Sequence, residues 1–319
     1  MIQVFKTSTG FNVLETIQPQ AWAKSESSAN TWVHLENPDL GELSLVSEKL
    51  NIEMDLLKAA LDEEESARFD REDDVTFIIV DIPVVQPEGI SFLYNTIPLG
   101  ILLAGEAIVT VCLEDTTIIE DFYQGRVRGF DTAKKTRFIF QLMYRSSAKF
   151  LQYLRQIDKA TTQVENALHK SMKNRELVQM LKLEKSLVFF ATSLKGNEII
   201  LEKMLNSRIL TKYPEDTDLL EDVIIENKQA IEMSNIYRNI ISGTMTTFAS
   251  IISNNLNMVM KLLASITIII AVPTLFASFW GMNVPVPLQG NPLGFWLILG
   301  GTLFITGFVT YILAKKDML

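Results

Sequence analysis

Seven side chains between Asn257 and Ser278 fall into a row. Asn257, Met260, Ala264, Thr267, Ala271, Thr274 and Ser278 are separated by alternating steps of three and four residues, the spacing that returns to one face of an α-helix. All are small, polar or soft, while Leu262, Ile266, Ile269 and Leu275 fall largely elsewhere. In a bilayer such a face can let helices approach closely, as small residues do in membrane packing. It can equally line a water-filled wall, with one helix from each subunit of a homo-oligomer, because two spans in one chain are too few to enclose a conduit. The spacing alone does not choose between them. Just beyond the row, Gly281-Met282-Asn283 sets an amide and a flexible backbone inside a stretch of 21 residues, 276–296, that carries no charge.

The elements that position these residues follow from a longer absence of charge. From Leu262 to Ala314 there is no Lys, Arg, Asp or Glu in 53 consecutive positions. Leu262–Trp280 gives 19 residues and Leu293–Ala314 gives 22, each near the ~20 that a helix needs to cross ~30 Å of hydrocarbon. The reading is two transmembrane helices joined by a short loop. Lys261 precedes the first, Lys315 and Lys316 follow the second, and Gly281–Pro292 holds no cation. Positive-inside asymmetry therefore predicts an external loop with both termini cytoplasmic; the plasma (inner) membrane is the expected location. Phe279, Trp280, Phe295 and Trp296 would form an outer aromatic belt, with Tyr311 near the inner interface. The start, "MIQVFKTSTG", has no apolar core of signal-peptide length.

Composition removes several chemistries. One cysteine, Cys112, and two histidines, His34 and His169, supply neither a disulfide framework nor a Cys/His zinc site. No phosphate loop, dinucleotide fingerprint or nucleophile elbow occurs, so no organic cofactor and no enzymatic activity are expected. The net charge of −9 leaves nucleic acid out as a partner. An enzyme anchored by the spans would have to use "LDEEESARFDREDDV" (61–75), whose eight carboxylates come without a positioned base and nucleophile and read as a solvated acidic surface.

Charge also marks the organisation. Residues 1–133 carry 8 basic and 24 acidic side chains, a net of −16; residues 134–212 carry 16 and 6, a net of +10; residues 213–261 carry 3 and 7, a net of −4. The first segment mixes β-rich runs at 75–85 and 100–113 with helical signals, among them Asn37-Pro38 as a cap and "IEMDLLKAALDEEE". Residues 134–207 hold no proline and only Gly196, which predicts two long helices in a hairpin turning near Ser171–Arg175. Pro214 reads as a breaker, with Asp218 and Glu221 as a capping box that opens a helix from Asp218 to Phe279. Sixty-two residues are ~93 Å at ~1.5 Å each, far more than a bilayer needs. The expected architecture is an α+β membrane protein: an acidic α/β domain at 1–133, a long-helix region of hairpin and stalk at 134–261, both cytoplasmic, and a two-helix transmembrane domain at 262–319.

Two C-terminal spans, a very long helix leading into the first, Gly281-Met282-Asn283 at its outer end beside Trp280, a short external loop and the basic end "KKDML" resemble the CorA family of divalent-cation channels. The resemblance is specific from about Leu219 onward and merely compatible before it. It implies a homopentamer in the lipid bilayer, with the first spans around the axis, that conducts Mg2+ inward. Gly281, Met282 and Asn283 would form the selectivity filter, in which neutral oxygens recognise an ion that sheds its water reluctantly. Asn257, Met260, Ala264, Thr267, Ala271, Thr274 and Ser278 would line the pore. By its distance from the motif and its "EDV" context, Asp222 matches an acidic family position that helps bind a regulatory Mg2+. One departure stands out. The family's loop usually continues into Met-Pro-Glu-Leu, whereas this one reads "VPVPLQGNPLG", so five copies would present no acidic ring at the mouth. Relatives of the same architecture move Zn2+, Co2+ or Ni2+, and a two-span scaffold or signalling protein would use the same helices for packing alone.

Overall fold

The structure is a computed structural model and describes residues 1–8, 14–72, 74–88, 91–114, 116–171, 174–207, 210, 213–288 and 290–318. In chain order its elements are β1 (Ile2–Thr7), β2 (Leu14–Ile17), α1 (Pro19–Lys24), β3 (Thr31–Glu36), α2 (Leu40–Leu50), α3 (Met54–Ala59), β4 (Arg68–Glu72), β5 (Val75–Glu88), β6 (Ser91–Ala104), β7 (Ala107–Cys112), α4 (Thr117–Tyr123), α5 (Lys135–Ser171), α6 (Asn174–Asn206), α7 (Pro214–Trp280) and α8 (Pro292–Lys315). They divide into two compact units, Met1–Gly243 and Thr244–Leu319.

In the first unit seven strands form one sheet in the order β2-β1-β3-β7-β6-β5-β4. β3 and β7 run parallel, Trp32 opposite Ile108 and Glu36 opposite Cys112, and the other neighbours are antiparallel. All six residues of β7 are buried, as a strand covered on both faces requires. Along β5, Phe77 and Ile79 turn to one face, where α2 and α3 supply Leu43, Val46 and Leu57. Ile78 and Val80 turn to the other, against Phe122 of α4, Phe138 of α5, Met204 of α6 and Leu220 of α7. That double burial explains why the strand reads as a continuous apolar run rather than an alternating one. Trp32 centres the second core, with ring centroids 4.8 Å from Phe5, 5.0 Å from Phe138 and 5.7 Å from Phe130. On the opposite face α3 closes down on β6 at Gly100, where a Cβ would lie 2.4 Å from that of Ala60.

Buried polar side chains dock the long helices. β4 pairs with β5 only as far as Ile79, and the backbone of Asp81 beyond it is taken up by Asn197 of α6. The Asn197 amide donates to the Asp81 carbonyl at 2.8 Å and accepts from its N–H at 2.9 Å, replacing a missing strand. Asn227 and Ser234 of α7 donate in turn to the carbonyls of Leu194 and Leu187 on α6, at 3.0 and 2.9 Å.

Several local expectations need correction. The cap of α2 is Asp39, which accepts from Glu42 N–H at 2.8 Å while Glu42 accepts from Asp39 N–H at 3.1 Å; Asn37 instead adopts a left-handed conformation with φ 38°. Pro214 does not stop a helix but opens α7, since its missing N–H would lack a partner there anyway. Asp216 accepts from the Tyr213 N–H at 3.4 Å, and Asp218 and Glu221 lie inside the helix. The run 100–113 comprises the end of β6, a turn at Gly105-Glu106 and β7. The two hairpin helices fall where expected, and residues 172–173 of the turn lie outside the described residues.

In the second unit α7 continues through Pro273 to Trp280, and α8 follows. Both helices are long and apolar enough to cross a bilayer, and nearly all of their apolar stretch is exposed. The Ser265 hydroxyl donates to the Met318 carbonyl at 2.8 Å, tying the residues that follow α8 to α7.

Candidate functional site

The row from Asn257 to Ser278 can now be placed on its helix. All seven side chains are exposed. The covered side of α7 consists of Ser265, which is fully buried, and the half-buried Ile269, Val272, Pro273, Phe276 and Trp280. At about 100° per residue the centre of the row lies roughly 200° around the helix from the centre of that set. The face of α7 covered within the chain and the polar row are therefore nearly opposite, and α8 leaves the row open. Exposed Ile268, Ile270 and Leu275 complete the circumference with apolar surface.

Two hydroxyls of the row have their protons committed. Thr267 donates to the Leu263 carbonyl at 2.8 Å and Thr274 to the Ile270 carbonyl at 2.9 Å, bonds that a helix offers to any threonine four residues on. What each then presents outward is oxygen lone pairs. Neutral acceptors of this kind suit the water shell of a cation.

α7 ends at Trp280, and Gly281 closes it by donating to the Ala277 carbonyl at 2.9 Å. A Cβ on Gly281 would sit 3.2 Å from that carbonyl, so the position is tight rather than left-handed. Among the described residues, left-handed conformations fall later in the loop, at Leu288 with φ 67° and Gly290 with φ 83°. Trp280 pins the turn through its indole N–H, which donates to the Pro287 carbonyl at 3.1 Å. Gly294 lets the loop rest on α8, because a Cβ there would lie 2.9 Å from the Leu288 carbonyl. Within this frame Met282 and Asn283 are exposed, leaving the Asn283 amide accessible.

A second feature, missed in reading the sequence, is the Asn291-Pro292 start of α8. Asn291 accepts from the Leu293 N–H at 3.0 Å and proline takes the first helical position. Its signal, an Asn-Pro pair before an apolar run, was present.

Asp222 lies exposed on α7 in the first unit, with Asp218 and Glu226 one turn to either side. Among the described residues no three His, Cys, Asp or Glu side chains gather into a metal centre. The chain by itself therefore does not bring Asp222 together with the ligands a bound cation would need. His34 is buried in the sheet, and no cluster of ligand side chains gathers there among the described residues. Its Nδ1 lies 2.9 Å from the Thr110 hydroxyl, which also accepts from the Trp32 indole at 2.9 Å. Burial chiefly, aided by the N-terminal charge and opposed by Thr110, lowers its pKa from 6.5 to about 4.

Comparison with known proteins gives the family and the fold. The family model described as CorA-like Mg2+ transporter protein matches residues 27–316. The cobalt/magnesium transport protein CorA of Methanocaldococcus jannaschii is 27% identical over 295 residues, 89% of this chain and 90% of that protein. In fold, the complete structure of the CorA magnesium transporter from the same organism gives a TM-score of 0.85 at 23% identity, covering 98% of this chain and 96% of the other. The cytoplasmic domain of ZntB from Vibrio parahaemolyticus gives 0.59 at 15% identity, covering 80% and 97%. These structural likenesses speak to the fold, and the family match spans nearly the whole chain. With that match over nearly its whole length, two candidate C-terminal spans and a long helix running into the first, this chain belongs to the CorA family of membrane transporters for divalent cations.

Proposed function

We propose that the protein is a Mg2+ uptake channel that works as a homopentamer. Gly281, Met282 and Asn283 form the outer filter, and the row from Asn257 to Ser278 lines the conduit. The observation that carries this reading is the exposure of the row on the side of α7 away from its covered face. A seam meant for packing within the chain would be covered, whereas one that faces other copies of α7 stays open in a single chain. The loop lies outside and both termini lie in the cytoplasm, as the cation distribution favours. In functional terms residues 1–133 and 134–261 form the cytoplasmic regulatory part and 262–319 the conducting part. A divalent ion gains ~4.6 kcal/mol per 100 mV of membrane potential, so passive entry needs no ATP.

The direct test is Mg2+ uptake into liposomes. Asn283→Ala is expected to abolish flux while the oligomer keeps its size in detergent; wild-type flux would remove the filter assignment. Co2+ is the second cargo to consider, since the relative from M. jannaschii is named for both ions and the loop here carries no acidic side chain. Competition between Mg2+, Co2+, Ni2+ and Zn2+ in the same assay ranks them.

Closure by cytoplasmic Mg2+ is the regulatory part of the proposal, with Asp222 contributing one ligand and a neighbouring copy the rest. Millimolar Mg2+ should slow limited proteolysis of the wild type and protect Asp222→Ala less. Equal cleavage of both proteins with and without the ion would exclude this sensor.

A further inference from the structure

In the first unit, on the sheet face that carries the long helices, a cavity of about 970 Å³ opens near the starts of α5 and α7. Its floor is Thr76 of β5 and its register partner Leu103 of β6. Residues 133–137 form one wall and Tyr213–Asp216 another.

Two groups in this cavity are left unsatisfied by the protein. Thr76 is 6% exposed and lines the cavity, yet its hydroxyl has no hydrogen-bond partner among the described residues. Helix α5 begins directly after Lys134, whose ammonium can accept nothing and so cannot cap it. The nearby Asp131 carboxylate accepts from the Ala133 N–H at 3.0 Å, through Oδ1, and, among the described residues, from none of the α5 amides. The first backbone bond into the helix runs from Phe138 N–H to the Lys134 carbonyl. The amides of Lys135, Thr136 and Arg137 therefore have no acceptor among the described residues.

The charges around the cavity sort themselves into committed and available. Arg137 pairs with Glu215 at 3.1 Å and Asp216 at 3.7 Å, and Asp74 lies 3.8 Å from Arg71. The carboxylates are thus answered by arginines. Lys134 is exposed at the rim with no ion pair among the described residues. Lys135 gives one N–H to the Gly105 carbonyl at 2.7 Å and keeps two more. Burial strips water from that ammonium and lowers its pKa, against the opposing charge of Glu106. Such a group gains from an anion beside it.

We propose that this cavity binds a phosphate group, free or carried on an ester, seated on the α5 amides, held by Lys134 and Lys135 and met from the floor by the Thr76 hydroxyl. A tetrahedral oxyanion has enough acceptors for all of these donors at once, and a helix start favours its charge. The cavity is much larger than one phosphate. The rest of an ester would lie toward Leu103, Leu210 and the exposed ring of Tyr213. This assignment is independent of the transport reading, and nothing in the proposed pore contributes to it.

The test is isothermal titration calorimetry on the full-length protein in detergent, using inorganic phosphate and adenosine monophosphate, with chloride at matched ionic strength as the reference. Saturable binding of either phosphate compound is expected. Lys134→Gln, which sits at the rim and leaves the core untouched, should weaken it about tenfold, and Thr76→Val should weaken it by a smaller factor. Tighter binding of the ester would assign an organic phosphate, and equal affinities would assign the free ion. Heats no different from chloride, or an unchanged affinity in both variants, would overturn the proposal.

Discussion

In Met1–Gly243 an indole such as that of Trp32 is wholly buried among phenylalanines, whereas in Thr244–Leu319 Trp296 is 67% exposed and Phe304 77%. The polar groups follow the reverse order. Asn197, Asn227 and Ser234 of the first unit are buried and spend their hydrogen bonds on neighbouring backbone, while Asn257, Thr267, Thr274 and Asn283 of the second stand open. Both patterns obey the same rule, that apolar surface avoids water and buried polar groups must be partnered. What differs is the solvent each unit is built for. An exposed apolar helix with a polar row is stable where lipid meets most of its surface and other copies of the same helix meet the rest.

The contrast can be broken most severely at the row itself. Met260→Ser would put a hydroxyl where the proposed conduit has a thioether, and, if that apolar ring closes by dewetting, Mg2+ leak into liposomes under closing conditions should rise about tenfold or more. An unchanged leak would mean that the row is a packing seam.

Acid sharpens the contrast more gently. Folded His34 stays neutral to about pH 4 and the unfolded chain takes its proton near 6.5, so the unfolded state binds more protons between those values. Stability that is full above pH 6.5 should fall as the pH drops toward about 4, by roughly 3 kcal/mol at about 1.4 kcal/mol per pKa unit. Leu262–Ala314 contains no Asp, Glu, Lys, Arg or His. Acid titration followed by circular dichroism should therefore melt the first unit while span helicity persists, and His34→Gln should flatten the early part of the curve.

The smallest effect expected is structural. Asn197→Ala would leave the N–H and carbonyl of Asp81 without their partner, costing about 1–3 kcal/mol, seen as a lower melting temperature in detergent. The matching change in the second unit, Thr267→Ala, removes only a bond back to its own helix and should leave that temperature nearly unmoved.

How much of this was legible in the sequence depends on the range of the physics. The two long apolar helices and the long hairpin follow from periodicity and from the absence of charge, both local properties, and they fall where expected; the spacing of the row on α7 is a local property of the same kind. Helix starts were misread wherever two candidate caps lay close together. Asp39 with Glu42 forms a complete reciprocal pair that Asn37 cannot make, and Pro214 has the geometry of a first residue as well as of a breaker. Contacts between distant residues left no signal of their own. Asn197 standing in for a strand, or Gly100 admitting Ala60, becomes apparent only once β5, β6, α3 and α6 are assembled. The candidate site was legible in its residue types and not in its exposure, because which side of α7 faces α8 depends on the turn at Trp280 and Gly294.

That turn also offers an optical handle. The four tryptophans divide evenly, Trp22 and Trp32 fully buried in the first unit, Trp280 and Trp296 in the second. Brominated acyl chains would quench Trp296 and spare the first pair. Trp280 is different again, since its indole N–H is held by the Pro287 carbonyl directly beside Gly281. With the other three replaced by phenylalanine, its emission would redshift whenever that bond opens, so a single fluorophore would report in real time on the outer end of the proposed pore.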